Sequence, residues 1–207
     1  MCNRYRTARD TERLRTIIRN APDDWFEKSD KKYDTVYPRS LVPVYLKVKG
    51  EETFKNFEWG IMPGWAKSKN ASVQNTRSEE VFKKPIWVDS FRRRRCLMPA
   101  ENFFEPATVD GKKYQVRFEL KIGLPFCFAA IWEKTTLFGE PRNTCSLLTC
   151  EPNALVGEVH GRMPLILHPE QYSTYLDTPQ EQAEQLVDLF LPFPADEMIA
   201  TFDTTST

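Results

Sequence analysis

Lys113-Tyr114-Gln115-Val116-Arg117-Phe118-Glu119-Leu120 alternates polar and apolar side chains without interruption. Because successive side chains of a β-strand point to opposite faces of its sheet, this alternation predicts a strand with one buried face and one solvent-facing face. It is the strongest strand signal in the 207-residue chain. The fold is therefore expected to be organised around a sheet.

Other segments extend this sheet. Residues 125–132 form a continuous apolar run of strand length, which is typical of a strand buried on both faces. Further strands are predicted at residues 44–49, 56–59, 145–150, 163–167 and 198–202. Helices are predicted within residues 10–20, 169–176 and 181–191, and loops at residues 21–40 and 60–65. The pattern indicates a single α+β domain over residues 1–207, with a curled, barrel-like mixed β-sheet and peripheral helices.

The chain has no net charge, but its charges are unevenly distributed. Residues 1–100 carry 22 Lys and Arg against 13 Asp and Glu, whereas residues 101–207 carry 7 against 16. A basic half of this kind predicts a surface that follows a phosphate backbone, beside a separate acidic face. The alternative is that the two halves neutralise each other within the fold.

Composition and the N-terminus indicate a cytoplasmic protein. No stretch approaches the ~18 apolar residues that span a bilayer, and the first residues lack the apolar core of a secretory signal. The five cysteines contain no CxxC pair and are expected to be reduced thiols. A zinc site at Cys145, Cys150 and His160 would not have a usual ligand spacing, so no metal is expected.

Cys2 is the first candidate for chemistry. Initiator methionine is normally removed when residue 2 is small, and its removal gives Cys2 both a free α-amine and a thiol. Such a 1,2-aminothiol condenses with an aldehyde to an imine, and the thiol then closes a five-membered thiazolidine. Since the pKa of an α-amine is near ~7.7–8.0, part of the amine is nucleophilic at cellular pH. The alternative is a cysteine without function in a frayed terminus.

Three further residues carry groups suited to acid–base chemistry. Asn75 has a carboxamide that both donates and accepts hydrogen bonds. Glu105 follows an apolar stretch that disfavours its ionised form, which suits a general acid or base near neutral pH. His160 can exchange a proton at cellular pH. The alternatives are a loop asparagine beside a helix start, a surface glutamate ending a strand, and a structural histidine.

Basic and aromatic residues are candidates for nucleic-acid binding. Arg77 and Arg162 can bind phosphate through two hydrogen bonds. Trp65 can stack on an unpaired base, with Lys67 and Lys69 near the backbone, although packing of Trp65 in the core is equally consistent with the sequence. The run Arg92-Arg93-Arg94-Arg95 is either a phosphate contact or a solvated face.

Together these residues resemble the SOS response-associated peptidase family, whose members process abasic sites. The motifs that carry the resemblance are, in chain order, Cys2, Trp59-Gly60-Ile61-Met62-Pro63-Gly64-Trp65-Ala66, Asn75-Thr76-Arg77-Ser78-Glu79, Arg95-Cys96-Leu97-Met98-Pro99-Ala100 leading to Phe104-Glu105, residues 126–133, and His160-Gly161-Arg162-Met163-Pro164. They extend over nearly the whole chain, so their combination is far more specific than any one motif.

The resemblance implies a mixed α/β fold with a barrel-like sheet, a basic cleft and a role for each site residue. Cys2 would form the thiazolidine with the ring-opened deoxyribose, and Asn75 would hold the amine and the sugar. Glu105 would move protons during ring opening and imine formation, and His160 would assist. DNA contacts are predicted at Arg4, Trp65, Lys67, Arg77 and Arg162. No metal or organic cofactor is implied.

Three positions depart from the usual pattern of the family. Asn3 follows the cysteine where glycine is usual. Asp34 lies in a loop that typically reads Tyr-Asn-x-Ala-Pro, and its charge would repel phosphate. Pro106 replaces the aromatic residue that commonly follows the glutamate, which removes a possible stacking surface.

The leading hypothesis is a DNA-repair protein of the SOS response that acts as a monomer. It would crosslink covalently to abasic sites in single-stranded DNA and shield them from breakage, with lyase activity from the imine and autoproteolytic removal of Met1. One alternative is an N-terminal-nucleophile cysteine peptidase that uses the same four residues. The other is a non-catalytic single-stranded-DNA-binding module, for which Cys2 would be dispensable.

Overall fold

A computed structural model describes residues 2–25, 35–68, 71–136, 139 and 141–204. The strands are β1 (Tyr5–Arg6), β2 (Thr35–Val36), β3 (Leu41–Val48), β4 (Glu51–Trp59), β5 (Asn75–Arg77), β6 (Arg95–Ala100), β7 (Asn102–Val109), β8 (Lys112–Leu120), β9 (Phe126–Thr135), β10 (Arg142–Cys150), β11 (Met163–Pro164), β12 (Ile166–Leu167) and β13 (Met198–Thr204). The α-helices are α1 (Thr11–Arg15), α2 (Pro85–Arg93), α3 (Ala154–Gly157) and α4 (Tyr172–Asp177). Segments of 3₁₀ helix lie at Ser78–Glu80, Pro169–Gln171, Gln180–Leu189 and Ala195–Glu197. In these described segments no helix is long and apolar enough to cross a membrane.

Five strands close into a barrel. β3 pairs with β4 and β6, β6 pairs with β9, β9 pairs with β10, and β10 returns to β4 through a parallel pairing. β9 lies between β6 and β10, so both of its edges are paired and its first six residues are buried, as the apolar run predicts. The predicted α+β fold with a barrel-like mixed sheet is confirmed.

A second, antiparallel sheet lies beside the barrel, in the order β13-β8-β7-β1-β2. β8 is the strand predicted from the alternating pattern, and its Val116 and Phe118 are buried. The hairpin between β7 and β8 turns at Asp110 and Gly111, which both have positive φ, as a two-residue type I′ turn requires. Glu101 alone separates β6 from β7, so one nearly continuous ribbon joins the barrel to the second sheet.

Three predictions of local structure need correction. The predicted loop at residues 21–40 contains the short strand β2, and its residues 26–34, Asp34 among them, lie outside the described residues. The predicted strand at residues 163–167 is divided between two partners. Leu165 causes this division, because its N–H donates to Leu148 of β10 while its carbonyl accepts from Ala129 of β9. The predicted helix at residues 181–191 is the 3₁₀ segment Gln180–Leu189.

The arginine run is a structural element. Arg92 and Arg93 end α2, while Arg95 begins β6 and is only 8% exposed. The Arg95 guanidinium donates to the backbone carbonyls of Phe91, Arg92, Tyr175 and Thr178. It therefore ties the end of α2 to α4, and the interpretation of the run as a solvated face or a phosphate contact is wrong for Arg95.

Candidate active site

Cys2 is buried just before the first strand of the second sheet. β1 follows it and pairs with both β2 and β7. The N–H of Phe104 donates to the carbonyl of Arg4 at 3.0 Å, which extends the pairing with β7 towards the N-terminus. Cys2 is 1% exposed, and its Sγ donates to the same Arg4 carbonyl at 3.5 Å. The alternative of a frayed terminus is therefore wrong for Cys2.

Asn75 reaches Cys2 from β5. This three-residue strand runs parallel to β10, with Asn75 opposite Leu147. Asn75 Nδ2 donates to the carbonyl oxygen of Cys2 at 2.9 Å and to Oδ1 of Asn3 at 3.2 Å. Because a backbone carbonyl can only accept, the nitrogen of the Asn75 amide must face Cys2. The Asn75 Oδ1 is buried, and no hydrogen bond to it is found within the described residues.

Glu105 lies in the interior of β7, opposite Val116, and is fully buried. Burial raises the pKa of its carboxyl, and the nearby charge of His160 lowers it in part. Burial also raises the pKa of the Cys2 thiol, and the charge of Glu105 adds to this effect. Glu105 is thus within electrostatic range of both Cys2 and His160. The alternative of a surface glutamate at the end of a strand is wrong.

His160 lies in the loop between α3 and β11 and is half-buried. The backbone N–H of Arg162 donates to its Nδ1 at 3.0 Å, so the neutral ring carries its proton on Nε2. The carbonyl of Arg162 also lies 3.0 Å from Nδ1 and can accept from it when the ring is doubly protonated. Nδ1 therefore has a backbone partner whether or not it carries a proton.

The Arg162 side chain is surrounded by acceptors. Both of its terminal nitrogens bind the carboxylate of Glu79, and Glu151 lies 2.7 Å from Nη1. Nη2 also donates to the carbonyl of Thr149 at 2.7 Å. The positive charge of this predicted phosphate-binding residue is therefore compensated within the protein.

An open cleft of about 570 Å³ begins at Asn75. Trp65, Arg77, Lys84 and Trp87 also line it. Trp65 is 67% exposed, so packing of this ring in the core is excluded. Arg77 lies on β5 and is 59% exposed, at the limit of an ion pair with Glu80. The cleft thus presents an aromatic face and basic groups beside the candidate active site.

The other residues predicted to contact DNA do not line this cleft. Lys67 is exposed, and Lys69 is outside the described residues. Arg4 is half-buried, with its guanidinium carbon 4.4 Å from the ring centre of Phe104 and 5.8 Å from that of Tyr37. Contact of any of these residues with DNA stays a prediction.

Several residues of the site were not predicted from the sequence. Asn3 and Glu79 stand in or beside the motifs of the family resemblance, but their contacts with Asn75 and Arg162 could not be predicted, because each partner lies more than 70 positions away. Helix α2, which brings Lys84 and Trp87 to the cleft, had a recognisable signature. Pro85 opens the helix, and Trp87 and Phe91 are buried four positions apart. All five cysteines are free thiols, and no cluster of three metal-ligating side chains occurs among the residues described.

Comparisons with known proteins show the family of this chain. The profile of the family described as SOS response associated peptidase (SRAP) matches residues 1–203. The chain is 31% identical over 183 residues to "Abasic site processing protein YoaM" of Bacillus subtilis. The aligned region covers 86% of this chain and 81% of that protein. It is 36% identical over 146 residues to "Abasic site processing protein YoqW" of the same organism, covering 69% of this chain and 65% of that protein.

Solved structures support the fold. A protein from Bordetella bronchiseptica superposes with a TM-score of 0.83 at 24% identity, covering 98% of this chain and 100% of that chain. A protein from Bacteroides thetaiotaomicron superposes with a TM-score of 0.79 at 21% identity, covering 99% of this chain and 93% of that chain. At these identities the similarity shows a shared fold.

Proposed function

This chain belongs to the SOS response associated peptidase family, and on that premise we propose that it processes abasic sites in DNA by forming a covalent bond through Cys2. The observation that carries the proposal is the hydrogen bond from Asn75 Nδ2 to the Cys2 carbonyl at 2.9 Å. It joins residue 2 to Asn75, which lines the open cleft of about 570 Å³. A terminal residue without a role has no reason to be held in this way.

The reaction requires removal of Met1, which leaves Cys2 with a free α-amine. This amine adds to the aldehyde carbon of the ring-opened deoxyribose, and loss of one water gives an imine. The thiol then adds across the carbon–nitrogen double bond. Sulfur bonds to carbon, the thiol proton passes to nitrogen, and a thiazolidine closes. No oxidant or reductant is consumed.

Glu105 and His160 supply the protons for these steps. Because burial raises the pKa of Glu105, its carboxyl keeps a proton to higher pH than a free carboxyl does, and this proton can pass to the hydroxyl that leaves as water. The resulting carboxylate can then take a proton from the amine or the thiol. The two backbone partners of His160 Nδ1 allow that ring to act as a second donor or acceptor.

Closure of the ring protects the DNA. Strand cleavage by β-elimination needs the imine, because the positive charge that develops on its nitrogen acidifies the neighbouring carbon. A thiazolidine has no imine, so the adduct shields the phosphodiester. The imine that precedes it can still support cleavage, and this is the expected origin of lyase activity.

The state of the Cys2 thiol favours this chemistry over general peptide hydrolysis. A cysteine peptidase attacks with a thiolate and therefore needs a low thiol pKa. In this chain burial, together with the charge of Glu105, raises the pKa of Cys2. Addition to an imine places fewer demands on the thiol, because the imine nitrogen accepts its proton. Peptide cleavage is then expected only in the autoproteolytic removal of Met1.

We propose that the substrate is single-stranded DNA and that a monomer binds it. The exposed Trp65 ring would stack on a base next to the abasic site, and Arg77 would contact the backbone. Binding of this kind is independent of sequence and weakens with salt.

The proposal is tested with single-stranded DNA that carries one abasic site. The protein is incubated with this DNA and separated on a denaturing gel, beside Cys2→Ala and beside DNA with a tetrahydrofuran analogue that lacks the aldehyde. We expect a heat-stable shifted band only with Cys2 and the aldehyde. Intact mass should show Met1 absent and one water lost on adduct formation. Absence of the band from protein without Met1 would overturn the proposal and favour non-covalent binding or peptide hydrolysis.

A further inference from the structure

The carboxamide of Asn75 makes both of its hydrogen bonds to the N-terminal segment. One goes to the Cys2 carbonyl at 2.9 Å, and the other goes to the Asn3 side chain at 3.2 Å. An amide nitrogen has two hydrogens, so these two acceptors use its full donor capacity. Asn3 itself is exposed, and its contact with Asn75 crosses 72 positions of sequence.

These contacts determine where the oxygen of the Asn75 amide lies. A half-turn of the Asn75 amide would bring Oδ1 against the Cys2 carbonyl, and also against Asn3 Oδ1 unless the Asn3 amide turned at the same time. Without the Asn3 side chain, the Asn75 amide could turn against the Cys2 carbonyl alone, with no second side chain to rearrange. In the observed orientation Oδ1 is buried, and within the described part of the chain it has no hydrogen-bond donor. Because a buried acceptor without a donor is energetically costly, a hydrogen bond from a bound substrate group would stabilise the complex.

We propose that Asn3 is a positioning residue for Asn75, and that it keeps Oδ1 available to accept a hydrogen bond from the Cys2 amine or from a hydroxyl of the opened sugar. This role rests on the proposed function. Asn3 does not touch the reacting atoms, because its contact is with the nitrogen side of the amide. It acts by keeping the Asn75 amide in the one orientation that leaves its oxygen free for the reaction.

The test compares single-turnover rates of covalent adduct formation in four proteins: the unsubstituted protein, Asn3→Ala, Asn75→Ala and the double variant. The loss of one hydrogen bond predicts that Asn3→Ala slows adduct formation about three- to tenfold. In the Asn75→Ala background, Asn3→Ala should cause no further slowing, because the amide on which it acts is absent. In Asn3→Ala, the affinity for single-stranded DNA without an abasic site should not change.

Two further variants sharpen this comparison. Asn3→Asp keeps an acceptor for Asn75 Nδ2 and should retain most of the rate. Asn143→Ala is the matched control, since it removes another exposed asparagine side chain, from β10, and should have no effect. Equal slowing by Asn3→Ala in both backgrounds, or no slowing in the unsubstituted protein, would overturn the proposal.

A measurement without DNA separates this inference from the proposed function. In NMR spectra of the protein, the two Asn75 side-chain N–H protons should both exchange slowly with water. In Asn3→Ala one of them should exchange faster, whereas the other, bonded to Cys2, should remain slow. Unchanged exchange would overturn the role of Asn3 whether or not an adduct forms. Failure of the unsubstituted protein to form an adduct would instead contradict the proposed function.

Discussion

Arg162 and Glu79 form an ion pair through two hydrogen bonds, with Nη2 2.7 Å from Oε2 and Nη1 in contact with Oε1. Burial of Glu79 opposes its ionisation, but the hydrogen bonds from Arg162 outweigh this effect and lower the pKa of the carboxyl. Glu79 is therefore ionised at neutral pH. A DNA phosphate that binds Arg162 must compete with this carboxylate for the same two nitrogens.

We expect Glu79→Gln to strengthen binding of single-stranded DNA. Partly exposed ion pairs contribute about 0–1 kcal/mol, so release of Arg162 should increase affinity up to about fivefold. Fluorescence anisotropy at several salt concentrations would measure the gain, which should shrink as salt rises. Glu170→Gln removes an equal charge from an exposed turn and serves as control. Unchanged or weaker binding by Glu79→Gln would show that the pair is structural.

Glu105→Gln should stabilise the protein at neutral pH and impair its activity. The folded-state pKa of Glu105 is raised by burial, so the folded protein binds this proton more tightly than the unfolded chain. The stabilisation that this bound proton provides is fully present below the pKa of Glu105 in the unfolded chain. It is lost as pH rises through the pKa of Glu105 in the folded protein. Gln keeps the site neutral, and each unit of pKa shift corresponds to about 1.4 kcal/mol.

Denaturant unfolding of both proteins from pH 4 to pH 8 would measure this difference. The two free energies of unfolding should be most similar at pH 4 and diverge as pH rises, with Glu105→Gln the more stable protein. Parallel curves would mean that burial does not raise the pKa of Glu105. The rate of adduct formation by Glu105→Gln should fall at least tenfold, since general acid–base catalysis contributes about 10²–10⁴ to such reactions.

The two tryptophans of the cleft should respond differently to truncation. Trp65→Ala removes a ring that is 67% exposed, so stability should change by less than about 0.5 kcal/mol. Its affinity for single-stranded DNA should fall, because stacking contributes about 1–3 kcal/mol per base. Trp87→Ala empties a site that is 5% exposed and should cost about 3–5 kcal/mol of stability. Thermal melts and DNA titrations of both variants distinguish these effects, and undiminished affinity in Trp65→Ala would exclude stacking.

Arginines within the run of residues 92–95 should also differ in how much they contribute to stability. Arg93 is exposed in an ion pair with Asp89, so Arg93→Ala should cost less than about 0.5 kcal/mol. Arg95→Ala leaves four backbone carbonyls without their common donor and should cost about 3–5 kcal/mol, measured by urea unfolding. Arg95→Lys should recover little, because one ammonium cannot replace the planar guanidinium. Equal losses at both positions would contradict this assignment.

The long strands were predictable because their patterns are long. β8 alternates over its whole length, and β9 is apolar over most of its length, so each carries enough information to be recognised alone. β1, β2, β5, β11 and β12 have only two or three residues. Their pairing depends on distant partners, and no local pattern of that length distinguishes a strand from a loop.

The candidate site was also predictable only in part. The residue types at Cys2, Asn75, Glu105 and His160 could be selected from their chemistry and from the family resemblance. Their proximity could not be derived locally, because β1, β5 and the loop before β11 meet only through pairings with β7 and β10. The compensation of Arg162 by Glu79 was missed for the same reason, since 83 positions separate the two residues.

The wide separation of the site residues also sets the order in which they become available during synthesis. Cys2 leaves the ribosome first, and its hydrogen-bond partner Asn75 follows 73 positions later. Glu105 and His160 are translated later still, and long-range pairings of this kind form slowly. For most of translation the growing chain therefore carries its cysteine without the complete set of amide, carboxyl and imidazole groups that lie near it in the folded protein. Any selectivity of this residue for one aldehyde over others in the cell is acquired with the completed fold.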